Sequence, residues 1–486
     1  MSQPDVCRRA AATAVLVLVA LITLSSGASA QVAADSSAEP TESLTLRDCV
    51  RIALDSSVDL RIRAAERDIA DQNVKEAWGS FLPSVSFNGS YNKSDRTDYD
   101  SESPVYGPAL QGFETVNGDS VYIPYETVIG TRTSDVNIEA TSKNWGGGAN
   151  LTLFDGLANV NRLKAARASR ESSRLWVDYT RENVIQNVAV AYYDLLRFTR
   201  LREVASETRD QAAAELERTE TYFRLGSAAK SDVLQQRVRL EQTKYDLVVA
   251  ENRVRMAIAD LAYAMNRPLA DRLEIDTSPL STEMAIEDVD RLYAEALANR
   301  LDVIGSDYNQ QAAAHTAAAA GGAFWPRLDL YARYQRSYDE SPYKFGSQES
   351  DAWLWGAQVN WDIFDRFQNV AARGRAKAQA RISEYQHEQI RLDVQLEVRQ
   401  FHNAMREAIE KHNVSVETVT QAEEELRLAQ ERFRVGAGTQ LDRITAEVNL
   451  ASAKAEEAQA VCDYLIARAR LWRAVGRLDE MGRESE

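Results

Sequence analysis

The sequence predicts a mostly α-helical chain that contributes four strands to a transmembrane β-barrel and is built as two structural repeats. Three observations carry this prediction: paired motifs at fixed offsets, two Pro-free helical runs of unusual length, and four short segments of apolar–polar alternation.

The chain has 486 residues, with 57 Lys and Arg against 73 Asp and Glu, for a formal net charge of −16. That charge opposes nucleic-acid binding, which needs a basic footprint to neutralise phosphates. Four His and three Cys are too few for a disulfide scaffold or a rich metal cluster. Arg8 and Arg9 precede an apolar run from Ala10 to Leu24, and small residues follow at Ala28-Ser29-Ala30. A basic start, an apolar run and an Ala-x-Ala site predict a signal peptide over 1–30. The run is short for a membrane anchor, since a bilayer core is about 30 Å thick. Cys7 lies upstream of it, so the mature chain keeps Cys49 and Cys462, and sequence leaves open whether these two pair.

The repeat follows from four matches. Ala53-Leu54-Asp55-Ser56-Ser57-Val58-Asp59-Leu60 resembles Ala296-Leu297-Ala298-Asn299-Arg300-Leu301-Asp302-Val303, and Phe81-Leu82-Pro83 resembles Phe324-Trp325-Pro326, at one common offset. Leu153-Phe154-Asp155 matches Ile363-Phe364-Asp365, and Phe223-Arg224-Leu225-Gly226 matches Phe433-Arg434-Val435-Gly436, at a second. The offsets differ because 93–143, rich in Ser, Asp, Tyr, Gly and Pro, is an enlarged loop, matched by only 337–350.

Repeat 1 spans 31–266 and repeat 2 spans 284–476, with a connector at 267–283 and a tail at 477–486. Each repeat has a first helix, a hairpin (81–153 and 326–363), a long helix (157–223 and 366–433) and a shorter helix (227–265 and 439–475). The first helix is expected as one piece from Thr45 to Trp78. The long run from Leu157 to Phe223 contains no Pro and rises about 100 Å at 1.5 Å per residue. Gly226 and Gly436 end the long helices, and Ser231-Asp232 and Thr439 supply capping side chains for the next. Such helices need neighbours along their whole length, through an a/d-type seam. Two shorter helices end to end match one long one, so the connector, with Pro268 and Pro279, is expected at mid-height with 34–43 and the tail.

The strand segments show one apolar and one polar face. Val85, Phe87 and Tyr91 alternate with Ser84, Ser86, Asn88 and Ser90, and Trp353, Trp355, Val359, Trp361 and Ile363 alternate with Leu354, Gln358, Asn360 and Asp362. A soluble sheet is the alternative. Segments of about nine to eleven residues, aromatic residues at their ends, and Arg327, Asp329, Arg333 and Asp362 on the polar face favour a lipid-facing barrel with a watery lumen. Four strands cannot close a barrel, and open edges are not tolerated in lipid, so several copies must share one wall. Strand count alone permits a dimer of eight or a trimer of twelve.

The residues also resemble the TolC-like family of outer-membrane efflux proteins, over almost all of the mature chain. The most specific elements are Trp78 to Pro83, Leu153-Phe154-Asp155-Gly156, Ile363-Phe364-Asp365, and the paired breaks Tyr222 to Gly226 and Phe433 to Gly436, followed by Asp232-Val233 and Leu441-Asp442. The resemblance implies a homotrimer with a twelve-stranded barrel in the outer-membrane lipid of a Gram-negative bacterium and a helical tunnel through the periplasm. It implies an exit duct for efflux or type I secretion, served by a periplasmic adaptor and an inner-membrane transporter of RND, ABC or MFS type. The adaptor is expected at the helix-turn tips, around Phe223, Gly226, Gly436 and Gly438.

In this family's terms, Asp232 looks like the first-repeat gate carboxylate, with helix capping as its alternative role. Asp442 looks like a member of an acidic ring, and Phe433 stands where some members carry a gating Tyr. Gly438 stands where a latching Arg is found, and Thr445 replaces a further ring Asp; these departures argue against an Arg latch and for a single acidic ring. Three carboxylates brought together would favour cations.

No cofactor, metal site or catalytic constellation is expected. Gly146-Gly147-Gly148 lacks the Lys-Ser/Thr of a phosphate loop, and His315, His387, His402 and His412 are scattered. Without an ATPase motif the chain supplies no driving force. Two alternatives stay open: a dedicated polypeptide secretion duct, and a coiled-coil envelope scaffold without a pore. Sequence names neither cargo nor transporter.

Overall fold

The computed structural model describes residues 43–107, 110–116, 119–125, 128–268, 273–276, 284–340 and 348–477. The expected signal peptide, 269–272 and 277–283 of the connector, and 478–486 of the tail lie outside the described residues. The helices are α1 (Leu46–Ser56), α2 (Val58–Gly79), α3 (Ala158–Arg224), α4 (Lys230–Ala264), α5 (Val289–Asn299), α6 (Leu301–Ala319), α7 (Gln368–Arg434) and α8 (Gln440–Val475). The strands are β1 (Ser84–Tyr106), β2 (Leu110–Val116), β3 (Asp119–Tyr125), β4 (Val128–Phe154), β5 (Arg327–Glu340) and β6 (Gln348–Asn360).

The first helix is not the single piece expected. Ser57 leaves helical geometry at ψ 122° and caps α2, its hydroxyl accepting from the Leu60 amide at 3.2 Å. Next to it, the Ser56 hydroxyl donates to the Met265 carbonyl at 2.6 Å and ties the break to the end of α4. The matched position Arg300 breaks the chain in the same way, at ψ 126° between α5 and α6. The octapeptide match is therefore centred on a break in both halves.

The enlarged segment also differs from the loop expected. β1 and β4 stay paired from Ser84↔Asn150 out to Tyr106↔Val128, whereas β5 joins β4 only from Thr141↔Glu340 inward. Much of 93–143 is thus a two-stranded ribbon, and β2 pairs with β3 as a further hairpin.

The main sheet is antiparallel in the order β1-β4-β5-β6, which leaves β1 and β6 as open edges. Directly paired residues share a face. Phe87↔Gly147, Ala149↔Ala332 and Tyr334↔Trp353 lie on one side, and Ser86↔Gly148, Thr152↔Asp329 and Asp329↔Gln358 on the other. Along the first face Val85, Phe87, Trp353, Trp355 and Val359 are exposed.

The long helices α3 and α7 have 67 residues each, about 100 Å at 1.5 Å per residue. Both begin from two successive left-handed residues: Gly156 and Leu157 at φ 67° and 66°, Arg366 and Phe367 at φ 57° and 64°. The preceding Asp makes this turn possible. Asp155 accepts from the Asn159 amide at 2.8 Å, and Asp365 accepts from the Asn369 amide at 2.6 Å, so each helix start has a side-chain cap.

Toward the strands the helices lie side by side in the order α2, α3, α6, α7; toward the far turns the order is α4, α3, α8, α7. The apolar core sits where these sets meet. There α1 and α5 cover the middles of α3 and α7 and the ends of α4 and α8, burying Val188, Leu195, Leu261, Val394, Val398 and Leu465. Cys49 and Cys462 are both buried in this core as free thiols. Among the described residues, no helix is long and apolar enough to cross a membrane.

Candidate pore-lining face and helical tips

The polar residues singled out on the strands fall into two groups. Arg327 donates to Asp329 at 2.9 Å, and the Thr152 hydroxyl donates to the same carboxylate oxygen at 2.7 Å, linking β4 to β5. Arg327 and Asp362 also line a cleft of about 900 Å³ at the strand–helix junction, together with Asp155, Arg162 and Asn360. Arg333 stands apart, its guanidinium 5.8 Å from the Tyr331 ring. Asp362 lies just past the end of β6, between the sheet and α7.

At the far end, each helix pair turns through a left-handed glycine. Gly226 has φ 78° and Gly436 φ 76°, and the amides of Ser227 and Ala437 reach back to the carbonyls of Tyr222 and Arg432, both at 2.9 Å. A residue with a Cβ is strained at such angles, so Gly closes both helices. Phe223 and Leu225 are exposed at the first turn and Val435 and Leu441 at the second. At Gly438 a Cβ would lie 3.1 Å from Arg432 Cβ and 3.2 Å from the Phe433 amide nitrogen, so the turn has little room for an Arg there.

Asp232 and Asp442 occupy equivalent places in the first turns of α4 and α8. Asp232 accepts from the Ala229 amide at 3.1 Å. Asp442 and Thr439 form a reciprocal capping box, with Thr439 donating through its amide at 2.9 Å and its hydroxyl at 2.8 Å. The Thr439 amide, then its hydroxyl, then nearby Arg432 hold the Asp442 carboxyl below its usual pKa, so it stays ionised. Asp442 is exposed, whereas Asp232 is half-buried.

Phe433 is held by a residue the sequence did not single out. The Arg443 guanidinium lies 4.9 Å from its ring centre, is buried, and donates to Glu215 of α3. Glu447 lies 3.7 Å from the same guanidinium, and Arg218 is 2.9 Å from Glu215. Burial raises the pKa of Glu447 against the pull of Arg443. This cluster fixes the start of α8 and the end of α7 on α3. No local motif marks Arg443, whose repeat equivalent is Val233. Among the described residues, no group of His, Cys, Asp and Glu is arranged to hold a metal ion.

The chain matches the family described as outer membrane efflux protein over residues 49–267 and 292–477. It is 22% identical to the outer membrane protein TolC of Escherichia coli, over 87% of this chain and 80% of that protein. It is 24% identical to the alkaline protease secretion protein AprF of Pseudomonas aeruginosa, over 62% of each. Its fold is similar to that of the outer membrane protein VceC of Vibrio cholerae, with a TM-score of 0.70 at 16% identity, covering 89% of this chain and 96% of the other. Both stretches of the family match include a long helix and its glycine turn, and on that evidence the chain belongs to the outer membrane efflux protein family.

Proposed function

We propose that three copies of this chain close into one tube, a twelve-stranded barrel in the outer membrane continued by a helical tunnel in the periplasm, which serves as a passive exit duct. The observation that carries this reading is that the protomer is unfinished on the same two sides at every level. The sheet ends in unpaired β1 and β6, the strand-side helices end in α2 and α7, and the far helices end in α4 and α7. A sheet edge cannot stay unpaired in lipid, so β6 of one copy meets β1 of the next, and the helices follow. Such a head-to-tail contact closes into a ring. The apolar sheet face then meets lipid, and Arg327, Asp329, Arg333 and Asp362 line the bore.

In this reading the tips form the periplasmic entrance. Asp442, and with it Asp232 and Phe433, narrows the path, and the exposed turns at Phe223, Gly226, Gly436 and Gly438 receive a periplasmic adaptor. The driving force belongs to an inner-membrane transporter, which hands over a small solute or a polypeptide; the name of AprF favours keeping the secretion reading alongside efflux. The test is a detergent-purified oligomer placed in a planar bilayer. A three-copy particle with discrete conductance steps supports the duct, and a monomeric, non-conducting protein overturns it in favour of a scaffold.

A further inference from the structure

We infer that the strand-side ends of α3 and α7 form a basic collar that binds the phosphate headgroups of anionic phospholipids in the periplasmic leaflet of the outer membrane. The inference rests on the reading that the apolar sheet face meets lipid, and adds a lipid class and the residues that select it.

The first support is a segregation of charge. The chain carries a net charge of −16, yet 156–170 holds four basic residues and no acidic one, and 366–383 holds five and none. Farther along the same two helices, 203–220 and 410–431 hold six acidic residues each. The cations therefore gather at the end next to the sheet, in both halves. Arg162 lies 3.6 Å from Asp155, Arg170 lies 2.6 Å from Glu171, and Arg373 lies over the Phe324 ring. Among the described residues Lys164, Arg167, Arg366, Arg375, Lys377 and Arg381 have no ion-pair partner.

The second support is direction. Arg162, Asn369 and Ala372 line the cleft that also holds Arg327 and Asp362, on the bore side. A helix turns by about 100° per residue, so Lys164 and Gly374 lie on the opposite, lipid side. There a 3-4-3 spacing joins Leu157, Val160, Lys164 and Arg167 on α3. The same spacing joins Phe367, Val370, Gly374 and Lys377 on α7, with Arg381 one turn on. All of these residues are exposed. Each stripe thus passes from apolar to basic about 10–15 Å below the sheet, the order in which a bilayer passes from hydrocarbon to phosphate. Helical side chains lean toward the helix N-terminus, which here is the membrane end. The long stems of Lys and Arg can lie on apolar surface while their charged heads reach the phosphates.

The third support lies directly above. β4 leads into α3 and β6 into α7, and between them the sheet carries a shallow hollow of about 410 Å³. Ala149, Leu151, Leu330, Ala332, Trp355 and Ala357 line it, all on the apolar face. The small Ala side chains leave a seat for an acyl chain between the larger Trp355 and Leu330. An apolar seat continuous with a basic stripe fits one amphiphile with an anionic head, whereas a free anion would use the stripe alone.

The test uses the full-length oligomer reconstituted in phosphatidylcholine bilayers, with spin-labelled phosphatidylglycerol or phosphatidylcholine as the probe. The labelled phosphatidylglycerol should associate about fivefold more strongly at low salt, and the preference should shrink in 1 M salt, where screening is within about 3 Å. Lys164→Gln with Arg167→Gln and Lys377→Gln should bring the preference close to parity, with conductance and melting unchanged. Arg399→Gln with Arg406→Gln, about 27 Å or more farther down α7 than Arg381, should keep it. An inserted, conducting oligomer without a lipid preference, or a triple variant that keeps the preference, overturns the collar and leaves the duct standing. A triple variant that shifts ion selectivity at unchanged lipid preference moves these cations to the bore and likewise overturns it. A wild-type chain that fails to insert and conducts nothing overturns the membrane reading itself.

Discussion

Arg300 donates to Glu397 at 2.5 Å, joining the break between α5 and α6 to the middle of α7. The same guanidinium holds Asp302 in two bonds of 3.0 and 2.7 Å and donates to the Ala474 carbonyl at the end of α8. Glu397 in turn accepts from Arg473 at 2.6 Å, and Arg473 reaches Asn183 on α3 at 2.8 Å. Burial works against the Arg300 charge, but the Asp302 and Glu397 carboxylates outweigh it and hold its pKa above the usual range. The break between α5 and α6 is thereby locked to α3, α7 and α8 at one level.

Removing one partner from such a buried network strands the other charges. Arg300→Ala is expected to cost about 3–5 kcal/mol, the usual loss when a buried ion pair is broken on one side. Denaturant melting of the purified oligomer checks this. Ser57→Ala at the matched position in the first repeat should cost about 1 kcal/mol, the loss of a helix cap. Equal losses at the two positions would refute the charge argument.

That contrast also separates what the sequence makes legible from what it does not. The octapeptide match locates the position in both repeats, yet no Gly or Pro marks a break there. Ser57 sets its break by capping the start of α2 with its own hydroxyl, while Arg300 holds its break through partners 97 and 174 positions away in sequence. The second breakpoint is a tertiary effect and has no local signature. The ribbon of β1 and β4 is hidden for the opposite reason. Where described, the side chains of its outer part are mostly exposed, and Ser, Thr, Asp and Gly replace the alternation that marks a strand. By contrast Phe433 and the two turn glycines stand in matched motifs and are found by repetition, whereas Asp442 is singled out by the family resemblance.

Burial pushes the Cys49 thiol up to about 11 and the Cys462 thiol up to about 12. Reactivity requires the thiolate, so both stay protonated and unreactive near neutral pH. Iodoacetamide at pH 8 should leave both unmodified in the native protein and label both after denaturation. Rapid labelling of either in the folded state would contradict the packing around α1 and α8.

The two sheet faces predict opposite responses to charge. Trp355→Arg places a cation on the face assigned to lipid and should cost about 2–4 kcal/mol near the bilayer midplane, reducing assembly into the outer membrane. Arg333→Ser, on the other face, should leave assembly intact and shift the cation-to-anion permeability ratio toward cations. Membrane fractionation and reversal potentials in a salt gradient read the two effects. Normal assembly of the Trp355→Arg variant would reverse the assignment of the faces.

The junction before α3 depends on Gly156 for space as well as for angle. Its φ is 67°, and a Cβ there would lie 2.5 Å from the Gly322 carbonyl oxygen and 2.9 Å from Trp325 Cβ. Arg366 holds the matching place before α7 at φ 57° with a side chain, so the backbone angle alone does not demand glycine. Gly156→Ala should therefore destabilise the fold much more than the dihedral cost of about 1–2 kcal/mol, whereas Arg366→Ala should be nearly neutral. Melting temperatures of the two variants test this, and a mild Gly156→Ala would show that the hairpin and helix can separate at little cost.

Asp442 offers a test of the entrance itself. The Thr439 amide and hydroxyl depress its pKa, so its contribution to the α8 start is present above the unfolded-state carboxylate pKa and is lost as pH falls through the lower folded value. The charge consequently persists at neutral and mildly acidic pH. If three copies bring this residue to the axis, multivalent cations should block conductance at neutral pH, and block should weaken only once the carboxylate protonates. Asp442→Asn removes the charge and keeps a side-chain oxygen able to accept from Thr439, so it should relieve block while preserving the helix start. Thr439→Ala weakens the cap but leaves the carboxylate, and should keep block at neutral pH. An unchanged blocking constant in Asp442→Asn would confine the residue to its capping role and move the cation site elsewhere along the bore.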